Sequence, residues 1–262
     1  MTRLTLGDKA LVVAMDHART LGAVDGLEDP GAVLDKVIAA GADAIMTNYG
    51  VIKHYQDKLV GKIPVYLRLD AGPSVFRQDW LEYDEWCLHY TVETARELGV
   101  DGVCLMSFMG CDAELDTFDN VAKTAVAAAK DKMPVMVEAL PCPAERIPDP
   151  LDADMMAHAS RIAFELGADI VKTYYTGSTD SFRRVTDVVP VPCMIAGGVK
   201  MPTAKSALEV VHGAMAGGGK GVVFGRNIWQ DPDPSRIVSA MKAIIHDGAS
   251  VDAAMSDAGI AG

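Results

Sequence analysis

Lys172 is out of place on hydrophobic grounds. It stands in the run IVKTYYTG (residues 170–177), whose other members are strand formers closed by Gly177. An ammonium group without a partner is costly to bury. Desolvation and a neighbouring cation lower a lysine's pKa, and the neutral amine so produced attacks a carbonyl to form a Schiff base, which then draws electrons from the adjacent bond. Carboxylates nearby move the protons that carbinolamine formation, C–C cleavage and enamine protonation require. Such groups recur in similar settings: Asp16-His17 after the first apolar run, Arg68 and Asp70 in VYLRLD, and Glu138 in VMVEAL.

One short phrase, repeated three times, indicates what positions these residues. Residues 40–46 read AGADAIM, 98–104 read LGVDGVC and 166–172 read LGADIVK. In each a helical pattern ends at a glycine (Gly41, Gly99, Gly167) suited to the left-handed C-cap position. A small residue, an aspartate and an apolar strand follow, the pattern of αβ units feeding a parallel sheet. Eight strands are predicted: Leu11–Asp16, Ala44–Tyr49, Val65–Asp70, Gly102–Phe108, Val135–Leu140, Asp169–Thr176, Pro192–Gly197 and Gly221–Gly225. Helical patterns cover Pro30–Ala40, Asp84–Leu98, Asp116–Lys130, Ala153–Leu166, Thr179–Val185, Thr203–Ala214 and Pro234–His246. Eight parallel strands in a chain of this length predict an α/β fold, a (β/α)8 TIM barrel forming one domain over residues 1–262. A doubly wound open sheet would carry a GxGxxG turn after an early strand, and none occurs.

Chemistry in such a barrel sits at the C-terminal strand ends. Side chains alternate along a strand, so Lys172, Tyr174 and Thr176 share a face, as do Arg68 and Asp70, and Glu138 and Leu140. If the polar members point inward, Lys172 faces Asp16, Arg68 and Glu138. Residue type alone also fits ion pairs that merely close the barrel mouth. His17 and Asn48 end the first two strands. Gly197-Gly198 in IAGGVK and Gly225-Arg226 in VFGRNIW place bare backbone and a guanidinium at the last two, a recurrent phosphate site of this fold. GGGKG (217–221) precedes the last strand and reads as a turn at the opposite end of the barrel.

Of the 262 residues, 50% are hydrophobic and 23% charged, enough for a large core. The net charge of −12 argues against nucleic acid or an anionic membrane as partner, but not against a small anionic substrate. No apolar run approaches the roughly 20 residues of a membrane span, and the N-terminus lacks a signal-peptide pattern. Five cysteines without CxxC spacing read as reduced thiols, so a cytoplasmic location is expected. Six scattered histidines form no ligand pair, and no metal or cofactor is expected.

Four stretches, AMDHARTLGAVDGLEDP (14–30), ADIVKTYYTG (168–177), IAGGVK (195–200) and GVVFGRNIWQ (221–230), fall in order on the predicted strands. Together they resemble the class I, Schiff-base aldolases: the archaeal-type fructose-bisphosphate aldolases and their DeoC/LacD-like relatives. The resemblance implies a homo-oligomeric, metal-independent enzyme that makes or breaks a C–C bond in a phosphorylated ketose, with an aldehyde as second substrate. Lys172 would carry the Schiff base, Asp16 would take or position the hydroxyl proton, and the glycines with Arg226 would hold phosphate. Related members run transaldolase-like transfer or thiolysis from the same lysine, and a non-catalytic sugar-phosphate sensor is a third reading.

One departure stands out. Archaeal-type fructose-bisphosphate enzymes end strand five with a tyrosine before proline, where this chain has Leu140-Pro141. Glu138, two residues back on the same face, is similar to the glutamate shuttle of class I tagatose-bisphosphate and sulfo-sugar phosphate aldolases. Glu138 is therefore expected to move protons, with Tyr174 and then Tyr49 as alternative donors. A second phosphate would need Arg68, Arg19 or Lys200, any of which would equally suit a carboxylate or sulfonate.

Overall fold

The computed structural model describes residues 6–78 and 83–261. All eight predicted strands form: β1 (Ala10–Ala14), β2 (Ala44–Thr47), β3 (Val65–Arg68), β4 (Gly102–Met109), β5 (Val135–Pro141), β6 (Ile170–Tyr174), β7 (Cys193–Ala196) and β8 (Gly221–Phe224). They pair in parallel and close on themselves, β8 returning to β1, with helices between successive strands. This is a (β/α)8 TIM barrel, whose closed eight-stranded sheet has no edge.

The repeated Gly-x-Asp phrase acquires a physical meaning. Gly41, Gly99 and Gly167 have φ of 87°, 75° and 109°, a region that a side chain would strain. The aspartate that follows each reaches sideways to the neighbouring strand. Asp43 Oδ2 accepts from Leu11 N at 2.7 Å, Asp101 Oδ2 from Val65 N at 3.0 Å, and Asp169 Oδ2 from Val135 N at 2.9 Å. Each ties the start of an even-numbered strand to the start of the odd-numbered strand before it, satisfying an N–H at the barrel floor.

The interior is filled by alternate residues. Val12, Ala14, Met46, Tyr66, Cys104, Met136, Ile170, Met194 and Val223 pack together inside. The other parity, including Leu11, Val13, Ile45, Leu67, Val103, Val137, Val171, Ile195 and Val222, faces the helices. A period-2 pattern buried on both faces is why the strands read as almost continuous apolar runs.

The predicted helix Asp84–Leu98 is corrected. Helix begins only at Val92, with Thr91 as N-cap in a capping box. Upstream, Cys87–Leu88 pairs antiparallel with Asp70–Ala71 in a two-stranded ribbon. Trp86, inside the predicted helix, and Tyr83, just before it, instead pack on Phe108 above the barrel. Short helices at Tyr49–His54, Gln56–Leu59, Arg226–Trp229 and Val251–Asp257 were not expected. Among the described residues no helix is long and apolar enough to cross a membrane.

Candidate active site

Two residues beyond the inner apolar layer, each strand delivers the next inward side chain. Tyr66 leads to Arg68, Cys104 to Met106, Met136 to Glu138, and Ile170 to Lys172; Ala14 and Met46 lead to Asp16 and Asn48. Alternation therefore assembles a polar layer directly on top of an apolar one. Glu138 and Lys172 are also register partners across β5 and β6.

Lys172 is 5% exposed, and its Nζ lies 2.8 Å from Glu138 Oε2. That oxygen also accepts from Arg68 Nη2 at 2.5 Å. Arg68 Nε donates to Asp16 Oδ2 at 2.9 Å, and its Nη1 lies 3.5 Å from Asp70 Oδ1. One guanidinium thus gathers three carboxylates in its planar fork, Asp70 and Glu138 buried and Asp16 partly so. Asp70 is held further by Trp86 Nε1 and Met106 N, each 2.7 Å from its Oδ2.

Burial raises the pKa of every carboxyl here, and the neighbouring cations decide the outcome. For Glu138 the charges of Lys172 and Arg68 outweigh burial and leave it below its ordinary value. For Asp16 the charges of Arg68, His17 and Lys172 do so by a wide margin. For Asp70 burial wins over Arg68 and its pKa rises. Burial lowers the pKa of His17, whose Nδ1 lies 3.3 Å from Asp16 Oδ1 without hydrogen-bond alignment and whose ring meets Trp229 edge-on. Asn48 donates to the Asp16 carbonyl at 2.7 Å, fixing the end of β1. Burial pushes the Tyr174 hydroxyl up to about 12, so it remains a proton-bearing donor.

Two connected spaces meet at Lys172. A cavity of about 540 Å³ is lined by Asp16, Arg19, Arg68, Trp86, Glu138 and Lys172, among others. A smaller recess of about 70 Å³ joins Lys172 and Tyr174 to Gly197, Gly198, Gly225 and Arg226. Gly225 cannot carry a side chain, because a Cβ would collide with His17 and stand 2.7 Å from the Ala14 carbonyl. Arg226 Nε is buried in this recess without a hydrogen-bond partner. Asn227 knits the two loops: its Nδ2 donates to the carbonyls of Gly197 and Val199 at 2.9 and 3.1 Å, and its Oδ1 accepts from Met201 N at 2.8 Å.

Residues 10–231 match the family model of the DeoC/LacD family aldolases. The 2-amino-3,7-dideoxy-D-threo-hept-6-ulosonate synthase of Halobacterium salinarum is 35% identical over 99% of this chain and 95% of its own length. The chain belongs to the DeoC/LacD family of aldolases. A crystal structure of an archaeal fructose 1,6-bisphosphate aldolase superposes with a TM-score of 0.84 at 28% identity, covering 92% of this chain and 95% of that one. An archaeal fructose-1,6-bisphosphate aldolase with its catalytic lysine covalently bound to the substrate's carbinolamine intermediate matches with a TM-score of 0.82 at 27% identity, covering 91% and 94%. The protein is therefore an aldolase-type lyase, and its structural neighbours include one with a Schiff-base-forming lysine.

In this aldolase the expected residues separate into groups. Lys172, Glu138, Asp16, His17, Asn48, Arg68, Tyr174 and Arg226 line the larger cavity, and Gly197, Gly198 and Gly225 line the recess. Arg68, expected to bind substrate, has its fork turned to Asp16, Asp70 and Glu138. Lys200 is turned to Asp231 at 3.4 Å, and Tyr49 stacks on Tyr90. Lys172 was expected to face Asp16, Arg68 and Glu138, and the group in contact with it is Glu138, whose same oxygen Arg68 holds. Sequence reasoning did not single out Trp86 or Tyr83, and gave Asn227, at the end of the last strand, no role. Trp86 lay in a stretch read as helix and Tyr83 just before it, whereas Asn227, 1% exposed and next to Arg226, was a buried amide within a motif already noted.

Proposed function

We propose that this aldolase forms and cleaves a C–C bond of a phosphorylated ketose through a Schiff base on Lys172, without a metal. The observation that carries this reading is the position of Lys172: it touches a buried carboxylate and opens both to the main cavity and to the recess of glycine backbone and Arg226. A phosphate in the recess, satisfying Arg226 Nε, puts the adjacent ketone carbon over Nζ.

Glu138 is the base in contact with the lysine. In the proposed sequence it takes one proton from the Lys172 ammonium, and the neutral amine attacks the ketone. Glu138 returns that proton to the alkoxide so formed, takes a second proton from the charged nitrogen and passes it to the resulting hydroxyl, which leaves as water and gives the iminium. The iminium then accepts the electrons of the breaking C–C bond. The hydroxyl proton of the departing fragment passes to Glu138, the aldehyde leaves, and the same proton goes to the enamine carbon. Water hydrolyses the resulting iminium and restores Lys172. The strongly depressed pKa of Asp16 makes it a poor proton store. Its role in this reading is to accept a hydrogen bond from the reacting hydroxyl and orient it. Tyr174, neutral and on the same face as Lys172, is the alternative donor to the enamine.

Cleavage of ketose 1-phosphates assayed in the presence of a chelator tests the reading. Turnover that survives chelation and disappears in Lys172→Met supports it, and turnover by Lys172→Met overturns it.

A further inference from the structure

Four cations and three carboxylates line the main cavity: Arg19, Arg68, Lys172 and Arg226 against Asp16, Asp70 and Glu138. The carboxylates all gather on Arg68, and Glu138 also holds Lys172. Arg226 faces the recess already described. Arg19 remains, on the short helical turn Ala18–Leu21 after β1, exposed at the cavity mouth.

The contacts of Arg19 are unusual for a guanidinium. Nη1 donates to the Gly72 carbonyl at 2.8 Å, and Nη2 lies 2.7 Å from His89 Nε2. Arginine has no acceptor, so His89 Nε2 must accept and the ring carries its proton on Nδ1. Burial and the charge of Arg19 lower the His89 pKa, in keeping with a neutral ring. Both partners of Arg19 are thus uncharged, and among the described residues no carboxylate pairs with it. Its geometry is fixed while, among the described residues, no carboxylate compensates its charge. The loop that carries Gly72 and the segment that carries His89 flank the ribbon Asp70–Ala71 with Cys87–Leu88, so the ribbon sets where Arg19 can stand.

We infer that Arg19 is a specificity-determining anion site, positioned by His89, for the terminal carboxylate or phosphate of the aldehyde half of the substrate. The inference rests on the Schiff-base reading, which fixes the ketose phosphate at the Arg226 recess and leaves the aldehyde half to extend toward the mouth. Arg68 cannot serve, because three carboxylates occupy it, and Lys200 cannot, because it is paired with Asp231.

The test is aldol addition of dihydroxyacetone phosphate to three acceptors: 4-oxobutanoate with a terminal carboxylate, glyceraldehyde 3-phosphate with a terminal phosphate, and neutral butanal. Wild-type kcat/KM is expected to favour an anionic acceptor over butanal. In Arg19→Gln that preference should fall roughly 10- to 100-fold, the effect of losing a charge-assisted contact, mostly through KM. The anion whose preference collapses names the head group. Arg19→Lys should retain part of the preference, and His89→Phe, which removes the acceptor but not the charge, should lower it by a smaller factor. No preference in the wild type, or the same preference in Arg19→Gln, overturns the assignment. Borohydride trapping of the wild type with dihydroxyacetone phosphate separates the two readings. An adduct on Lys172 with an unchanged preference sinks only the role of Arg19, whereas no adduct sinks the Schiff base on which it rests.

Discussion

Glu138 Oε2 is shared by Lys172 and Arg68, at 2.8 and 2.5 Å. A single carboxylate oxygen held by two cations is charged and tightly placed, and it is the base nearest the amine that must lose a proton. Removing the acid function while keeping the shape is therefore informative. Glu138→Gln is expected to lower kcat by about 10² to 10⁴, the usual worth of a positioned general acid–base group. Steady-state kinetics decide, and turnover equal to wild type would remove Glu138 from the proton path.

Arg68 holds Asp16, Asp70 and Glu138 inside the barrel mouth. Arg68→Met leaves these groups without their common partner, and breaking a buried pair from one side costs about 3–5 kcal/mol. Denaturant unfolding measures this. Arg68→Lys keeps the charge but not the fork, so its stability should lie between the two. A fully stable Arg68→Met would show that the cluster does not hold the barrel mouth together.

Acid should weaken the same cluster. Glu138 and Asp16 have folded-state pKa values below their ordinary ones, so the stability they contribute is fully present above about pH 4, the unfolded range, and is lost as pH falls through the folded values. Asp70, raised by burial, works in the opposite direction. Relative to Glu138→Gln, the wild type is expected to lose thermal stability as pH falls from about 4 towards about 2. Melting temperatures across that range provide the check, and parallel curves for the two proteins would contradict the assigned direction.

The recess proposed to hold phosphate depends on Asn227 more than its position suggests. Asn227→Ala removes two bonds to the 197–199 loop and one from Met201. Its KM for phosphorylated ketose should rise about tenfold or more, with about 1–3 kcal/mol of destabilisation from carbonyls left unsatisfied. Gly225→Ala, which places a methyl group against His17 and the Ala14 carbonyl, should impair the same step. Unchanged KM in both would place phosphate elsewhere.

The barrel was legible because its strands are short apolar runs set off by repeated Gly-x-Asp phrases, and alternation then fixed which residues point inward. Lys172, Glu138, Arg68 and Asp16 could be brought to one face on that basis alone. The pairing inside the cluster could not. Which carboxylates Arg68 takes depends on side-chain reach across three strands, and that left its committed state unread. The stretch from Asp84 to Leu88 was misread as helix because its pairing with Asp70–Ala71, far back in the chain, leaves no local signal. Nothing in the local pattern around Arg19 or His89 reveals that they meet, since they are 70 residues apart.

The central claim is that Lys172 carries the covalent intermediate. Incubation with dihydroxyacetone phosphate, reduction with borohydride and peptide mass mapping measure it directly. The reduced adduct is expected on the peptide containing Lys172, and it should be missing from Lys172→Met. An active enzyme that yields no adduct on Lys172, or carries it on another lysine, would contradict the claim.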